Sequence, residues 1–178
     1  MKIVLLIFIF LGIVFIATPT SYASPYGSGT YNAAVPYGGQ TSLTISSSGT
    51  VSIPITPGAS AVLGTASGTV TIVSTDVVGY KLYVRALGSA NMTAGANNIP
   101  ASSNSSAATL ATNTWGYNLD ASTNFVGMTT SDVLIRTGSG PYGAGDTTTV
   151  TYGVMIDQAK AAGNYSTTVI YTAVPQTT

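Results

Sequence analysis

Apolar and polar residues alternate along most of this chain, and the longest alternating runs predict its backbone. In residues 146–156, Thr148, Val150, Tyr152, Val154 and Ile156 fall on one face of an extended strand. In residues 164–174, Tyr165, Val169 and Tyr171 do the same, with Thr167 and Ala173 completing the face. Both runs are rich in β-branched residues and tyrosine, which suit a pleated, half-buried surface. The short connection between them ends in Gly163, which is free to take a positive φ, so the pair predicts a long antiparallel hairpin.

Further strands are expected upstream. Leu43 and Ile45 alternate with Ser and Thr, and Val51, Ile53 and Ile55 alternate with Ser52, Pro54 and Thr56. Proline cannot donate to a ladder, so Pro54 places its strand at an edge or a bulge. Pro57-Gly58 then has the order of a type II turn. Val70 and Ile72 mark another strand. The cleanest alternation sets Tyr80, Leu82, Val84 and Ala86 inward against Lys81, Tyr83 and Arg85. A strand resumes at Trp115-Gly-Tyr-Asn-Leu, a short one follows near Val133, and residues 139–145 read as a glycine-rich turn. Residues 89–109 are Ser, Asn, Ala and Gly with little periodicity, a length of loop that usually carries function or motion. About seven to eight short strands with turn signals between them predict an all-β chain, a single antiparallel β-sandwich.

Two N-terminal segments differ from this domain. Residues 1–23 carry Lys2, then an apolar run from Ile3 to Ala17 broken only by Gly12, then Ser21-Tyr22-Ala23 with small residues at −3 and −1 of a cut before Ser24. That is the pattern of a secretory signal peptide, with an apolar run shorter than the roughly 20 residues of a spanning helix. The expected location is therefore secreted, extracellular or at the cell surface, with membrane contact only through the signal peptide before cleavage. Residues 24–40 are rich in Gly, Pro, Tyr and Ser, but Tyr31, Ala33, Val35 and Tyr37 share one face of an extended arm. The expected organisation is a signal peptide at 1–23, a flexible or strand-donating arm at 24–40 and a sandwich domain at 41–178.

Composition narrows the chemistry. There are five basic and five acidic residues, all the acidic ones are aspartate, and the chain has no Glu, His or Cys. Without a basic patch, nucleic-acid binding lacks its electrostatic footprint. Disulfide scaffolds and thiolate metal sites are excluded. Catalysis requires a tuned acid, base or nucleophile, and the only carboxylates, Asp76, Asp120, Asp132, Asp146 and Asp157, are isolated in sequence. Asp146 and Asp157 read as ordinary turn residues bounding a strand. A Ca²⁺ site calls for closely spaced carboxylates, and no Asp-x-Asp run exists. No catalytic, cofactor-binding or metal residue is expected, and no cofactor.

Two other residue sets invite a function. Trp115 and Tyr117 could form an aromatic platform for sugar, but a tryptophan packed between two sheets is the commoner arrangement. Trp115, Tyr152 and Tyr171 are therefore assigned to the core, while Tyr83, on an outward position, is a candidate contact residue. Asn91-Met-Thr, Asn104-Ser-Ser and Asn164-Tyr-Ser match the acceptor pattern for N-glycosylation, a pattern that chains rich in Asn, Ser and Thr also produce by chance.

The order Val-Ser-Ile…Thr-Pro, Gly-Thr-Val-Thr-Ile-Val-Ser-Thr, Gly-Tyr-Lys-Leu-Tyr-Val, Asn-Thr-Trp-Gly-Tyr, Asp-Thr-Thr-Thr-Val-Thr-Tyr-Gly-Val and Ala-Gly-Asn-Tyr-Ser-Thr-Thr-Val-Ile-Tyr-Thr-Ala spans residues 50–174. It resembles a group of exported β-sandwich surface proteins of Saccharibacteria and other bacteria of the candidate phyla radiation. The ending has a looser likeness to Gram-positive WxL surface domains, although Trp115 is followed by Gly116 and Tyr117 and the Trp-x-Leu motif is missing. The resemblance implies an exported location and a sandwich fold, and lends little to function. The expected role is a non-catalytic surface protein, a self-associating subunit of a filament, pilus or coat. The alternative is an adhesin or carbohydrate-binding module that meets surface glycans or a host surface through residues 89–109 and exposed tyrosines.

Overall fold

The computed structural model describes residues 5–9 and 42–176. In chain order they form β1 (Leu5–Ile9), β2 (Ser42–Ser47), β3 (Val51–Ile55), β4 (Val62–Thr75), β5 (Gly79–Ala86), β6 (Met92–Ala94), β7 (Asn97–Ile99), β8 (Thr114–Asn118), β9 (Val133–Ser139), β10 (Tyr142–Ile156) and β11 (Val169–Gln176). The described residues contain no helix, and every ladder between strands is antiparallel. The fold is all-β. The arm residues Tyr31, Ala33, Val35 and Tyr37 and the cut after Ala23 lie outside the described residues.

Two sheets face each other. One has the order β2-β4-β10-β8 and the other β11-β5-β9. Their inward side chains meet in a common core. Val150, Tyr152, Val154 and Ile156 of β10 and Trp115 and Tyr117 of β8 pack against Val84 and Ala86 of β5 and Val169 of β11. At the other end of the sandwich, Val70 and Ile72 of β4 pack against Tyr80 and Leu82 of β5. The alternation in β5 is realised as expected: Tyr80, Leu82, Val84 and Ala86 are fully buried, with Lys81, Tyr83 and Arg85 partly exposed between them.

The longest contact runs down the middle of the first sheet. β4 and β10 pair from Val62↔Ile156 to Ile72↔Asp146, and a register shift then brings Ser74 opposite Tyr142. This bulge absorbs the glycine-rich residues 142–145, so what reads as a turn in the sequence is largely the first part of β10. The turn itself is tighter, at Gly140 (φ +99°).

The expected C-terminal hairpin does not form. Its two arms lie in different sheets: β10 pairs with β4 and β8, and β11 pairs with β5 from Val169↔Ala86 to Gln176↔Gly79. Residues 157–168 carry the chain across the sandwich, burying Tyr165 completely and bonding to Thr93 through Ser166 on the way. The inward faces of both arms were legible because alternation fixes which side chains are buried. Alternation does not choose a strand's neighbour. Gly163 does not take a positive φ either; a Cβ there would stand 3.1 Å from Cβ of Ala94, so close approach explains this glycine. Gly58 likewise lacks the positive φ of a type II turn, because its backbone is tied to Asp157 and Gln158 in a short parallel bridge.

Residues 89–109 are not wholly irregular. Within them Met92–Ala94 and Asn97–Ile99 form the small β6-β7 hairpin, and Met92 and Ile99 enter the core with no exposure. Residues 105–109 remain an exposed loop, so the segment caps one end of the sandwich only in part.

Candidate functional site

β3 is the one sandwich strand that belongs to neither main sheet. Val51, Ile53 and Ile55 are buried in the core, with Ser52 and Pro54 exposed between them. The strand lies so close across β4 that two glycines are required beneath it. A Cβ on Gly64 would run into Ile55 and stand 2.9 Å from Ile53 Cγ2, and one on Gly68 would stand 2.9 Å from Val51 Cγ2. Among the described residues, the only ladder β3 makes is with β1, from Leu5↔Ile55 to Ile9↔Val51. Pro54 therefore lies where its missing N–H is tolerated, in a two-stranded ladder. β3 has its side chains in the core, and its backbone partner is residues 5–9, from before the arm at residues 24–40.

Trp115 is fully buried, and its indole N–H donates to the carbonyl of Ala90 at 2.8 Å. Its ring lies tilted against Tyr152, with centroids 6.5 Å apart. The same strand is covered from outside the sheet: Trp115 bridges Ala101 and Tyr117 bridges Val126. An aromatic platform for sugar needs an open ring face, and the Trp115 ring has none.

Tyr152 is 1 % exposed, and Tyr171 is half-buried opposite it. Their hydroxyls share a short hydrogen bond that joins β10 of one sheet to β11 of the other. Burial, reinforced by Tyr171, pushes the Tyr152 phenol well above its ordinary value. Burial also pushes Tyr171 up to about 12, although the bond from Tyr152 acts in the opposite direction.

A second polar link between the sheets lies at the other end. Arg136 of β9 holds Asp146 of β10 through Nη2–Oδ1 at 2.6 Å and Nε–Oδ2 at 3.0 Å. The hydroxyl of Tyr80 donates to Asp146 Oδ2 at 2.6 Å and accepts from Arg136 Nε at 3.1 Å. Burial first, and then the bond to Asp146, push the Tyr80 phenol up to about 12 against the opposing pull of Arg136. Asp146 is thus no ordinary turn residue: its side chain is only 11 % exposed, inside a two-bonded ion pair. Sequence reasoning missed this cluster because its three members sit on three strands with no local signature.

The remaining aspartates also have structural partners. Asp132 pairs with Arg85 at 3.3 Å, Asp157 accepts from Asn113 and from the amide of Ala159, and Asp120 accepts from the amide of Ser122. Asp76 turns the chain from β4 to β5 with φ +54°. The described residues hold no group of three or more acidic side chains that could take a metal ion. Of the sequon asparagines, Asn164 is exposed and Asn91 half-buried. Asn104 donates its amide nitrogen to the carbonyls of Ala108, Thr109 and Phe125 at 3.1–3.2 Å, bonds that a glycan on that nitrogen would have to displace.

No protein-family model, no curated protein and no solved structure matches this chain. The β3 ladder, with its side chains buried and its partner borrowed, is the feature of the molecule that most invites a function.

Proposed function

We propose that this chain is a non-catalytic, exported structural protein, a subunit of an extracellular filament, pilus or coat whose copies are joined by strand addition. The observation that carries this reading is the β3 ladder. The β3 side chains lie in the sandwich core, and the β3 backbone takes its ladder from residues 5–9, within the segment that reads as a signal peptide. An edge of that kind accepts an extended segment, main-chain hydrogen bonds supplying affinity and alternate side chains supplying register. The partners are other copies of the chain. The burial of Trp115 removes the aromatic platform that would have favoured a sugar-binding module.

Electron micrographs of protein purified from the culture medium provide the test. Wild-type protein should form filaments or sheets, and a chain lacking residues 24–39 should remain soluble and folded without polymerising. A monodisperse wild-type monomer that binds immobilised glycans would overturn the structural reading in favour of a binding module.

A further inference from the structure

We propose that β3 is the acceptor edge for the next subunit, that residues 5–9 cover it in the unprocessed chain, and that residues 33–37 of a second copy replace them once residues 1–23 are removed. The proposal rests on the strand-addition reading and identifies the two surfaces it needs. β1 lies within the segment that reads as a signal peptide. Hydrolysis of the Ala23–Ser24 peptide bond by an export peptidase, one water added across the bond, detaches the strand that β3 is paired with.

The arm has the sequence to take its place. Ala33-Ala34-Val35-Pro36-Tyr37 repeats the apolar alternation over five residues, the length of β3. Two prolines fix the register. Pro36 and Pro54 each lack an N–H, so both must direct their backbone away from the shared edge. In an antiparallel ladder, residues directly opposite each other either both face the partner strand or both face away. Pro36 therefore belongs opposite Ser52 or opposite Pro54. Opposite Pro54, the ladder would end with Gly38 and Gly39 against Ser52 and Val51, and these glycines bury nothing. Opposite Ser52, all five pairs form: Ala33 with Ile55, Ala34 with Pro54, Val35 with Ile53, Pro36 with Ser52 and Tyr37 with Val51. Ala33, Val35 and Tyr37 then lie on the face where β3 buries Val51, Ile53 and Ile55.

Chain geometry shows which copy the arm comes from. Val51 lies against Gly68 of β4, whereas Ser42, the first residue of β2, pairs with Thr75. Those two levels are about 23 Å apart along β4, at about 3.3 Å per residue. From Tyr37 to Ser42 a fully extended chain spans at most about 18 Å. Tyr37 therefore cannot reach Val51 of its own chain in this register, and a second copy can supply it. Ile9 has no such limit, because residues 10–41 are long enough to bring it to Val51, where it pairs. While attached, β1 also has the advantage of an intramolecular partner over any second copy. Assembly is thereby confined to chains that have been exported and cut.

The chain has no cysteine, so paired substitutions report the register cleanly. Pro36→Cys together with Ser52→Cys, on the outward face of the ladder, should give a series of covalent multimers on a non-reducing gel. Mixing the two single variants should give a disulfide-linked dimer, showing that the bond joins different chains. Pro36→Cys with Thr56→Cys, four residues out of register, should lose the multimers. Ala23→Arg, which blocks cleavage, should lose them too, and adding Phe8→Cys and Ser52→Cys to that uncut chain should give a bond within one chain. Filaments in the micrographs without the Pro36→Cys/Ser52→Cys bond would overturn this edge while leaving the filament reading standing. Monomers with neither filaments nor the bond would overturn both, and a bond confined to single processed chains would overturn exchange between copies.

Discussion

The β4-β10 pair and β3 are built from the same kind of residue and bury their inward faces equally well, yet they stand in opposite situations. Val150, Val154 and Ile156 of β10 have 0 % exposure, and so does Ile53 of β3. β10 has strand partners on both sides, β4 over most of its length and β8 beside residues 151–155. β3 has its side chains in the core and its one ladder with residues 5–9. Burying a face and satisfying a backbone are separate problems, because side chains point across the sheet and hydrogen bonds run along it. The centre of the sandwich solves both within one domain. β3 solves the second through residues 5–9 of the same chain, which makes it the place where the proposed strand exchange would act.

The comparison breaks most plainly at the centre. Trp115→Ala removes the largest fully buried side chain and leaves the Ala90 carbonyl without its donor. Large aromatic truncations in cores cost about 3–5 kcal/mol, and chemical denaturation of the variant should show a loss of that size. Wild-type-like unfolding would mean that the cap and β8 do not depend on the ring.

A smaller effect tests the edge alone. Gly64→Ala would press a methyl group into Ile55 and lift β3 from β4, at a cost of about 1–3 kcal/mol for an overpacked site. Hydrogen exchange should speed up in β3 before it does in β10. Ile55→Val in the same chain should recover part of the loss by vacating the space. Equal acceleration in both strands would show that β3 is not a separable layer.

The smallest effect is a pH dependence of the inter-sheet tyrosines. Tyr171 and Tyr80 are raised to about 12 and Tyr152 is also raised, so the folded state favours the neutral phenols. Their contribution is fully present below the unfolded value near 10 and is lost as pH rises through the folded values. For Tyr171 the loss reaches about 1 kcal/mol by pH 11. Melting temperature should therefore be flat up to about pH 10 and fall above it, and Tyr171→Phe should shrink the fall. A profile unchanged between these pH values would mean that the phenols ionise in the folded protein without penalty.

The faces of the strands were legible in the sequence because side-chain direction in a strand repeats every two residues. Tyr80 to Ala86 and Thr148 to Ile156 declared their buried positions, and Trp115 and Tyr152 declared themselves core residues by size. Pro54 announced a strand with restricted pairing. What failed were two statements about neighbours, the C-terminal hairpin and the type II turn at Gly58. These depend on contacts between residues far apart in the chain, which local alternation does not encode. Met92 and Ile99 lie too sparsely among polar residues to signal a cap, and Arg136, Asp146 and Tyr80 meet only because two sheets close over one another. The chain by itself determined an all-β sandwich and which side chains line its core, since both follow from a two-residue period and apolar burial. Only the tertiary structure decided that β10 and β11 part into different sheets and that β3 takes its ladder from residues 5–9, because pairing is settled by which backbones the packed core brings within hydrogen-bonding distance.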